Sequence, residues 1–409
     1  MQYVNSNLAR VYVYILRFVI LGASLAACGG GGGEKVPGDM PDTSYRYTPP
    51  AALGDGWPVA HAADTGMDPA SFEALVAAVD RGEFPNIDAI AVARDGDLVF
   101  DRVIRTSLDA EDSRVGNTDP AMHAQFSATK SITSLLVGIA IDDGIFESVD
   151  VAYLDLFDYP LLKNPDPRKA EITLGDVLAM RSGFDWNEWE PPYSSPDNRL
   201  LRFYANEVDY SKALLDLPLA ADPGTRFAYN TAATISLGQA IENRAPLALV
   251  DYGLSRLMQP LEISEIEFLE TPTGLPNGGG GFYFRTRDMV KFGQLLLDGG
   301  TWKGARVVSE AWIEASLRSR TDIAWAEPDN WDWQLAGYGY QWWLGYYEVD
   351  GEVVDSWVAW GFGGQWIIVV PALGLAIAIN SRGYDGSDAA LNEAHAIVRR
   401  YLLEMGMQL

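Results

Sequence analysis

A serine and a lysine three residues apart open an apolar segment of the chain. In FSATKSITSLLVGIAIDDG, Ser127 and Lys130 precede apolar residues at helical spacing, and Asp143-Gly144 marks the end of the pattern. A helix that begins near Ser127 places both side chains on one face, one turn apart. A serine hydroxyl becomes a nucleophile when a base accepts its proton, and a buried lysine with a lowered pKa can be that base. The pair is therefore a candidate nucleophile and base. The alternative is a serine N-cap followed by a lysine that points to solvent.

The composition of the chain restricts the alternatives to this chemistry. The 409 residues include one cysteine and only three histidines, His61, His123 and His395, so we expect no metal site and no disulfide within the chain. A Ser/His/Asp triad is disfavoured for the same reason, and His123 is interpreted as structural. The chain has 30 Lys+Arg and 56 Asp+Glu, a net charge of -26, which argues against nucleic-acid binding because a phosphate backbone requires a basic surface. We expect no cofactor.

The elements that must position the serine begin with a helix and a hairpin. Asp68 is a predicted N-cap for a helix over residues 69–81, in which apolar residues repeat at three- and four-residue steps. The next segment, DAIAVARDGDLVFDRV, has two apolar runs on either side of Asp95-Gly96. This pattern predicts two antiparallel strands joined by a tight turn.

A second hairpin lies near the other end of the chain. WIIVVPALGLAIAINS predicts two strands joined at residues 371–374, and an amphipathic helix follows at about residues 389–405. Because strands come from both ends, we expect an α+β fold with one antiparallel sheet flanked by helices. A helical lobe is predicted at roughly residues 150–285, with the active site between the lobe and the sheet.

The only cysteine follows a segment with the features of an export signal. Two arginines and no acidic residue precede the apolar run FVILGASLAA, and Cys28 comes next, followed by five glycines. LAAC resembles the cleavage box of bacterial lipoproteins, in which the cysteine is lipidated. We therefore predict a lipoprotein signal peptide at residues 1–27, a flexible tether at 28–51 and a folded domain at 52–405. The protein would be exported and anchored by lipid to a bacterial membrane, in the periplasm or at the cell surface. The alternative is an uncleaved signal-anchor helix.

Further segments carry a resemblance to a known family. After the serine–lysine helix come, in order, ITLGDVLAMRSGFDWNEW, PGTRFAYNTAATISLGQAIE, GGFYFRTRDMVKFGQLLLDGG, YGYQWW and AWGFGGQWIIVV. From about residue 66 to residue 402, the chain resembles the class C β-lactamase-like branch of the serine β-lactamase and penicillin-binding superfamily. That branch includes esterases, D-amino-acid peptidases and 6-aminohexanoate-dimer hydrolases.

The resemblance implies a role for each matching residue. Ser127 matches the nucleophile, Lys130 its partner, and Tyr229 a general base or proton shuttle coupled to Lys130. It implies an acyl-enzyme on Ser127, formed from an ester or amide, with an oxyanion bound by the backbone N–H groups of Ser127 and Gln365. Because a tyrosine ordinarily ionises near pH ~10, phenolate character at Tyr229 would need the adjacent Lys130 ammonium.

Two positions depart from the family pattern. Thr231 stands where the family has an asparagine, with Asn230 one place early, and threonine lacks the amide that contacts a substrate amide. Phe362, which precedes Gly363 and Gly364, stands where the family has a cationic residue or a histidine that helps to bind a substrate carboxylate. We therefore expect a neutral ester, or an amide whose far end is uncharged or cationic, rather than a penicillin or a peptidoglycan stem peptide.

Aromatic residues in two segments are candidates for the lining of the cleft. They lie in WNEWEPPY, residues 186–193, which also carries acidic residues, and in YGYQWW, residues 338–343; core packing is the alternative for these aromatics. Arg382 is a candidate replacement for the missing cation, with a solvated arginine as the alternative. The predicted substrate-binding residues are Tyr193, Thr231, Trp343, Phe362, Gly363 and Gly364.

The sequence thus predicts an exported serine hydrolase for a small ester or amide, with a membrane as its other partner through the lipid on Cys28. Two other functions stay open. One is a β-lactam-reactive enzyme, a β-lactamase or DD-peptidase, for which rapid turnover of nitrocefin would be diagnostic. The other is a non-catalytic binding protein on the same fold, which the change at Thr231 suggests.

Overall fold

The computed structural model describes residues 45–322 and 331–406. The predicted signal peptide and the predicted lipidation site, Cys28, lie outside the described residues. Within those two ranges, no helix has the length and apolar character needed to cross a membrane.

An antiparallel sheet of eight strands forms the centre of the fold. The strands of the described residues are β1 (Ile87–Arg94), β2 (Asp97–Val103), β3 (Met122–Ala124), β4 (Glu267–Phe268), β5 (Phe282–Arg285), β6 (Thr301–Trp302), β7 (Ala305–Arg306), β8 (Thr321–Asp322), β9 (Gln334–Tyr338), β10 (Trp343–Val349), β11 (Glu352–Gly361), β12 (Gln365–Val370) and β13 (Leu375–Ser381). The strand order of the large sheet is β2-β1-β13-β12-β11-β10-β9-β8, so β1 and β13 from opposite ends of the chain pair side by side, as the sequence predicts. A smaller sheet has the order β3-β5-β4, and β6 pairs with β7.

Helices cover both faces of the large sheet, which gives the predicted α+β class. The 69–81 prediction corresponds to the first helix, where the Asp68 side chain accepts a hydrogen bond from the Ala70 N–H. The last helix changes to π-helical turns at Val398–Glu404. The α-helices are α1 (Pro69–Asp80), α2 (Thr129–Asp142), α3 (Leu174–Leu178), α4 (Arg199–Asn206), α5 (Tyr210–Leu215), α6 (Thr231–Arg244), α7 (Leu249–Gly253), α8 (Thr286–Leu297), α9 (Glu310–Ser316) and α10 (Asp388–Ile397).

The central strands are apolar on both sides because each face of the sheet has its own core. Along β1, Ile90 and Val92 belong to one core and Ala91 and Ala93 to the other, since successive side chains of a strand point to opposite faces. On the face that carries Ala91 and Ala93, the small side chains let helix α8 approach the sheet closely. A Cβ at Gly293 of α8 would lie only 3.1 Å from the Cβ of Ala376 on β13. The same core contains Ala128 and Ile132, so the segment that follows Ser127 packs on this face of the sheet together with α8.

Candidate active site

Ser127 lies in a short 3₁₀ turn, Phe126–Ala128, directly before α2. The preceding residue, Phe126, has φ 44°, a left-handed conformation that non-glycine residues rarely adopt and that is found at functional turns. The end of β11 packs against this turn so closely that a Cβ at Gly361 would lie 2.2 Å from the carbonyl oxygen of Gln125. The hairpin of β11 and β12 therefore helps to hold the turn that presents Ser127.

Lys130 is buried beside Ser127, with 1% of its surface exposed. Its Nζ donates hydrogen bonds to Ser127 Oγ at 2.8 Å and to the carbonyl oxygen of Gly279 at 2.5 Å. Burial lowers the pKa of Lys130 to about 8, while the negative charge of Glu188 acts in the opposite direction. Near pH 7 roughly a tenth of the amine is therefore unprotonated and able to accept a proton. The alternative of a lysine that points to solvent is wrong.

Tyr229 lies between two tryptophans just before α6. Its ring stacks on Trp189 at 5.1 Å and on Trp343 at 5.6 Å between centroids, and Lys130 Nζ lies 5.0 Å from its ring centroid. Burial, and then the charge of Glu188, raise the pKa of Tyr229, and a hydrogen bond with Ser127 acts in the opposite direction. The hydroxyl is thus a protonated phenol at neutral pH, which differs from the expected phenolate character.

Gln365 begins β12 and pairs with Gly361 across the hairpin. Its side chain points into the protein, where Oε1 accepts a hydrogen bond from Asn380 Nδ2 at 2.7 Å. The turn between the two strands uses positive φ at Gly363 (81°) and Gly364 (89°), where a side chain would be strained. The hairpin brings the Gln365 backbone toward the Ser127 turn. The role of the Ser127 and Gln365 backbone N–H groups as donors to an oxyanion stays a prediction.

Phe362 lies in an aromatic cluster that includes the residue before the nucleophile. Its ring meets Phe126 edge-to-face at 5.7 Å and Tyr193 at 5.8 Å, and it stacks on Tyr384 at 6.1 Å. Phe362 and Tyr193, two predicted substrate-binding residues, are thus brought together. The surface they form is apolar and uncharged, which suits a neutral group better than a carboxylate.

The remaining aromatic candidates divide between the site and the core. Trp343 contacts the site through its stack on Tyr229, and Trp189 is 37% exposed on the other side of that ring. Trp186 and Trp342 are fully buried, and Tyr340 is buried with its ring on Trp312 at 5.7 Å. For these three side chains the core-packing interpretation is correct.

Thr231 is held by the buried carboxylate of Glu188, one of the acidic residues in segment 186–193. Its backbone N–H donates to Glu188 Oε2 at 2.7 Å, and its hydroxyl donates to Glu188 Oε1 at 2.5 Å. Asn230, one place earlier, is the N-cap of α6, where its Oδ1 accepts a hydrogen bond from Ala233 N–H at 3.0 Å. The Thr231 hydroxyl therefore has a partner inside the protein.

The profile of the family described as Beta-lactamase matches residues 72–400, about four fifths of the chain. The chain belongs to the Beta-lactamase family. A curated relative, the 6-aminohexanoate-dimer hydrolase of Paenarthrobacter ureafaciens, is 27% identical over 227 residues, which cover 51% of this chain and 54% of that enzyme. The match therefore spans about half the length of that relative.

Solved structures share this fold at low sequence identity. A family VIII carboxylesterase has a TM-score of 0.57 at 15% identity, covering 80% of this chain and 96% of that one. The octameric penicillin-binding protein homologue from Pyrococcus abyssi has a TM-score of 0.58 at 19% identity, covering 82% and 78%. This Beta-lactamase family member accordingly has the fold predicted from its sequence.

Arg382 of this Beta-lactamase family member is held in an ion pair and is not simply solvated. Its Nε donates to both carboxylate oxygens of Asp88, at 2.7 and 2.9 Å, and Arg105 pairs with the same carboxylate at 3.2 Å. The candidate replacement for the missing cation is therefore wrong.

Near this ion pair, His123 Nδ1 lies 3.0 Å from a carboxylate oxygen of Asp112. Three side chains, those of Asp88, Asp112 and His123, offer possible metal-ligand atoms within 4.8 Å of one another. However, Arg105 and Arg382 already supply positive charge to Asp88.

Sequence reasoning missed two groups that complete the site of this Beta-lactamase family member. One is the Gly279 carbonyl that accepts a hydrogen bond from Lys130; its neighbours in the sequence, NGGGGF, offered only a glycine run as a signal. The other is the burial of Glu188, which is 1% exposed although it lies in a polar segment. The flanking residues Trp186 and Trp189 were the available signal for that burial.

Proposed function

We propose that the protein is an exported, lipid-anchored serine hydrolase that cleaves an ester or amide through an acyl-enzyme on Ser127. The single observation that carries the catalytic part is the 2.8 Å hydrogen bond between Ser127 Oγ and the buried Lys130 Nζ, whose pKa is lowered to about 8. A lysine in this state accepts a proton near neutral pH, which a solvated lysine does not. Tyr229 is the second proton-transfer partner.

The proposed cycle has two halves that use the same groups. As Ser127 Oγ bonds to the substrate carbonyl carbon, its proton passes to Lys130 Nζ. The Tyr229 phenol gives a proton to the departing alcohol or amine, and the proton on Lys130 restores the phenol. In the second half a water replaces the leaving group, and its proton follows the reverse path while the Oγ–carbon bond breaks. The backbone N–H groups of Ser127 and Gln365 are the proposed donors to the oxyanion.

The proposed substrate has no carboxylate at the position of Phe362. The cluster of Phe362, Phe126, Tyr193 and Tyr384 would bind an apolar or aromatic portion of the substrate. An anionic substrate group there would lose its hydration without gaining a cation. The names of the relatives, a carboxylesterase and a 6-aminohexanoate-dimer hydrolase, agree with hydrolysis of an ester or amide.

The identity of the nucleophile is tested by intact-mass spectrometry. A fluorophosphonate is expected to add one phosphonyl group to the parent protein and none to Ser127→Ala, because the reagent bonds to an activated hydroxyl. Ser131, on the next turn of α2, is a matched control: its hydroxyl donates to the Gln341 carbonyl at 2.6 Å, and Ser131→Ala should still be labelled. An unlabelled parent, or a labelled Ser127→Ala, would contradict the proposed function.

Lipid anchoring is proposed from the sequence around Cys28 and has its own test. When the full-length chain is produced in a bacterium, the parent is expected in the membrane fraction, and Cys28→Ser is expected to move most of the protein to the soluble fraction, because lipid chains supply the membrane affinity. The measurement is immunoblotting of separated fractions. Unchanged membrane retention of Cys28→Ser would favour the signal-anchor alternative.

A further inference from the structure

A single buried carboxylate organises one side of the candidate active site. Glu188 Oε2 accepts hydrogen bonds from the Thr231 N–H at 2.7 Å and from Trp186 Nε1 at 3.0 Å. Glu188 Oε1 accepts hydrogen bonds from the Tyr193 hydroxyl at 2.8 Å and from the Thr231 hydroxyl at 2.5 Å. Each oxygen therefore has two donors, and the carboxylate joins the loop that carries Tyr193 to the first turn of α6. Because four donors of the protein already bind its two oxygens, the Glu188 carboxylate has little capacity to bind a substrate directly.

We propose that Glu188 is a positioning residue of the Ser127 site, which orients Thr231 and Tyr193 and places a fixed negative charge within electrostatic reach of Lys130 and Tyr229. The proposal rests on the proposed function of Ser127. Thr231 lacks the amide of the family's asparagine, and the Glu188–Thr231 pair fixes the start of α6 without it. Thr231 is only two residues after Tyr229, so its hydrogen bonds with Glu188 also hold the backbone beside the Tyr229 phenol.

The charge of Glu188 acts on a small group of titratable side chains. It favours the protonated form of Lys130, against the effect of burial. Burial is the largest cause of the raised pKa values of the tyrosines around it, and the charge of Glu188 acts in the same direction, so these groups stay neutral phenols near neutral pH. Glu188 is thus the acidic charge that acts on Lys130. The tyrosines whose pKa values it raises are Tyr193, Tyr204, Tyr229 and Tyr338.

The hydrogen bonds of Glu188 allow its charge to be removed without loss of a contact. Both donors at Oε2, the Thr231 N–H and Trp186 Nε1, can only donate, and a glutamine carbonyl oxygen accepts them equally well. Both donors at Oε1 are hydroxyls, of Tyr193 and Thr231, which can turn and accept the two hydrogens of a glutamine amide. Glu188→Gln therefore keeps the shape and the four contacts while it removes the charge.

The test is the pH profile of kcat/KM for a neutral p-nitrophenyl ester, followed at the isosbestic wavelength of the product. In the parent, the acid limb reports deprotonation of Lys130 and is expected near pH 8. Without the negative charge, the ammonium form of Lys130 is less favourable, so the limb of Glu188→Gln is expected at lower pH by roughly one unit. A limb at the parent position, or at higher pH, would overturn the proposal.

Two further variants separate charge from positioning. Glu188→Asp keeps the charge but shortens the side chain, so its plateau is expected to fall by about tenfold or more while the acid limb stays in place; a full plateau or a displaced limb would count against a positioning role. Glu190→Gln removes an exposed carboxylate two residues away and is expected to match the parent, because solvent screens that charge. Failure of the proposed function would be recognised separately, as fluorophosphonate labelling of Ser127→Ala.

Discussion

Lys130→Met is expected to lower kcat/KM for a neutral ester by roughly 10³- to 10⁴-fold, the size of a lost general base. Methionine fills a similar volume but has no group that accepts the Ser127 proton. In the parent, the Lys130 amine lies 2.8 Å from Ser127 Oγ and has a pKa lowered to about 8, so it is suited to this transfer near neutral pH. The measurement is steady-state hydrolysis at pH 8, with fluorophosphonate labelling falling in parallel.

The folded state is expected to tolerate this substitution. The lowered pKa, about 8 instead of 10.5, means that the buried ammonium costs about 3 kcal/mol of folding stability below pH 8. This cost decreases as the pH rises from 8 to 10.5, where the folded form is neutral and the unfolded form is still charged. Methionine removes the cost but leaves the Gly279 carbonyl without its donor, which costs about 1 to 3 kcal/mol. We therefore expect a Tm at pH 7 within a few degrees of the parent.

Lys169 offers a matched control for the loss of a buried amine. It is 1% exposed, and its Nζ donates to the carbonyl oxygen of Leu215, the last residue of α5, at 2.6 Å. Burial also lowers its pKa. Lys169→Met removes the same charge with no contact to Ser127, so activity should stay close to that of the parent. Equal losses in the two variants, or full activity in Lys130→Met, would contradict the role proposed for Lys130.

Tyr229→Phe is expected to lower kcat/KM by roughly 10²- to 10³-fold, and more for an amide than for a p-nitrophenyl ester. The ring is held by its stacks on Trp189 and Trp343, so phenylalanine should occupy the same place. Only the hydroxyl is lost, and its raised pKa keeps it protonated at neutral pH, the form that can donate a proton. An amine leaving group needs that proton, whereas p-nitrophenolate departs without one.

The leaving-group dependence is measured by comparing a p-nitrophenyl ester with an anilide that has the same acyl group. Tyr338→Phe is the control, because Tyr338 is a buried tyrosine of the same aromatic group that packs edge-to-face on Trp343 at 4.6 Å. That variant is expected to keep both activities. An equal loss on both substrates for Tyr229→Phe would show that its hydroxyl does not protonate the leaving group.

The local patterns of the sequence predict the framework of the fold well. Alternating or continuous apolar runs predict β1, β2, β12 and β13, and the structure places the first and last of these strands side by side. The helical spacing after Ser127 predicts α2, although its first turn is 3₁₀ and α2 itself begins at Thr129. Such features depend on neighbouring residues, so they can be read from periodicity and turn residues.

By itself, the sequence determined the α+β class, the family resemblance and the pairing of Ser127 with Lys130, because each depends on short spacings or on segments in a fixed order. Only the tertiary structure decided the environment of that pair. The Gly279 carbonyl lies 149 positions from Lys130, and Thr231 lies 43 positions from Glu188. Burial and the charges brought together by folding determine the pKa of Lys130, and no local pattern records these long-range contacts. The same physical reason explains why Arg382 is an ion-pair partner of Asp88 and not a substitute cation.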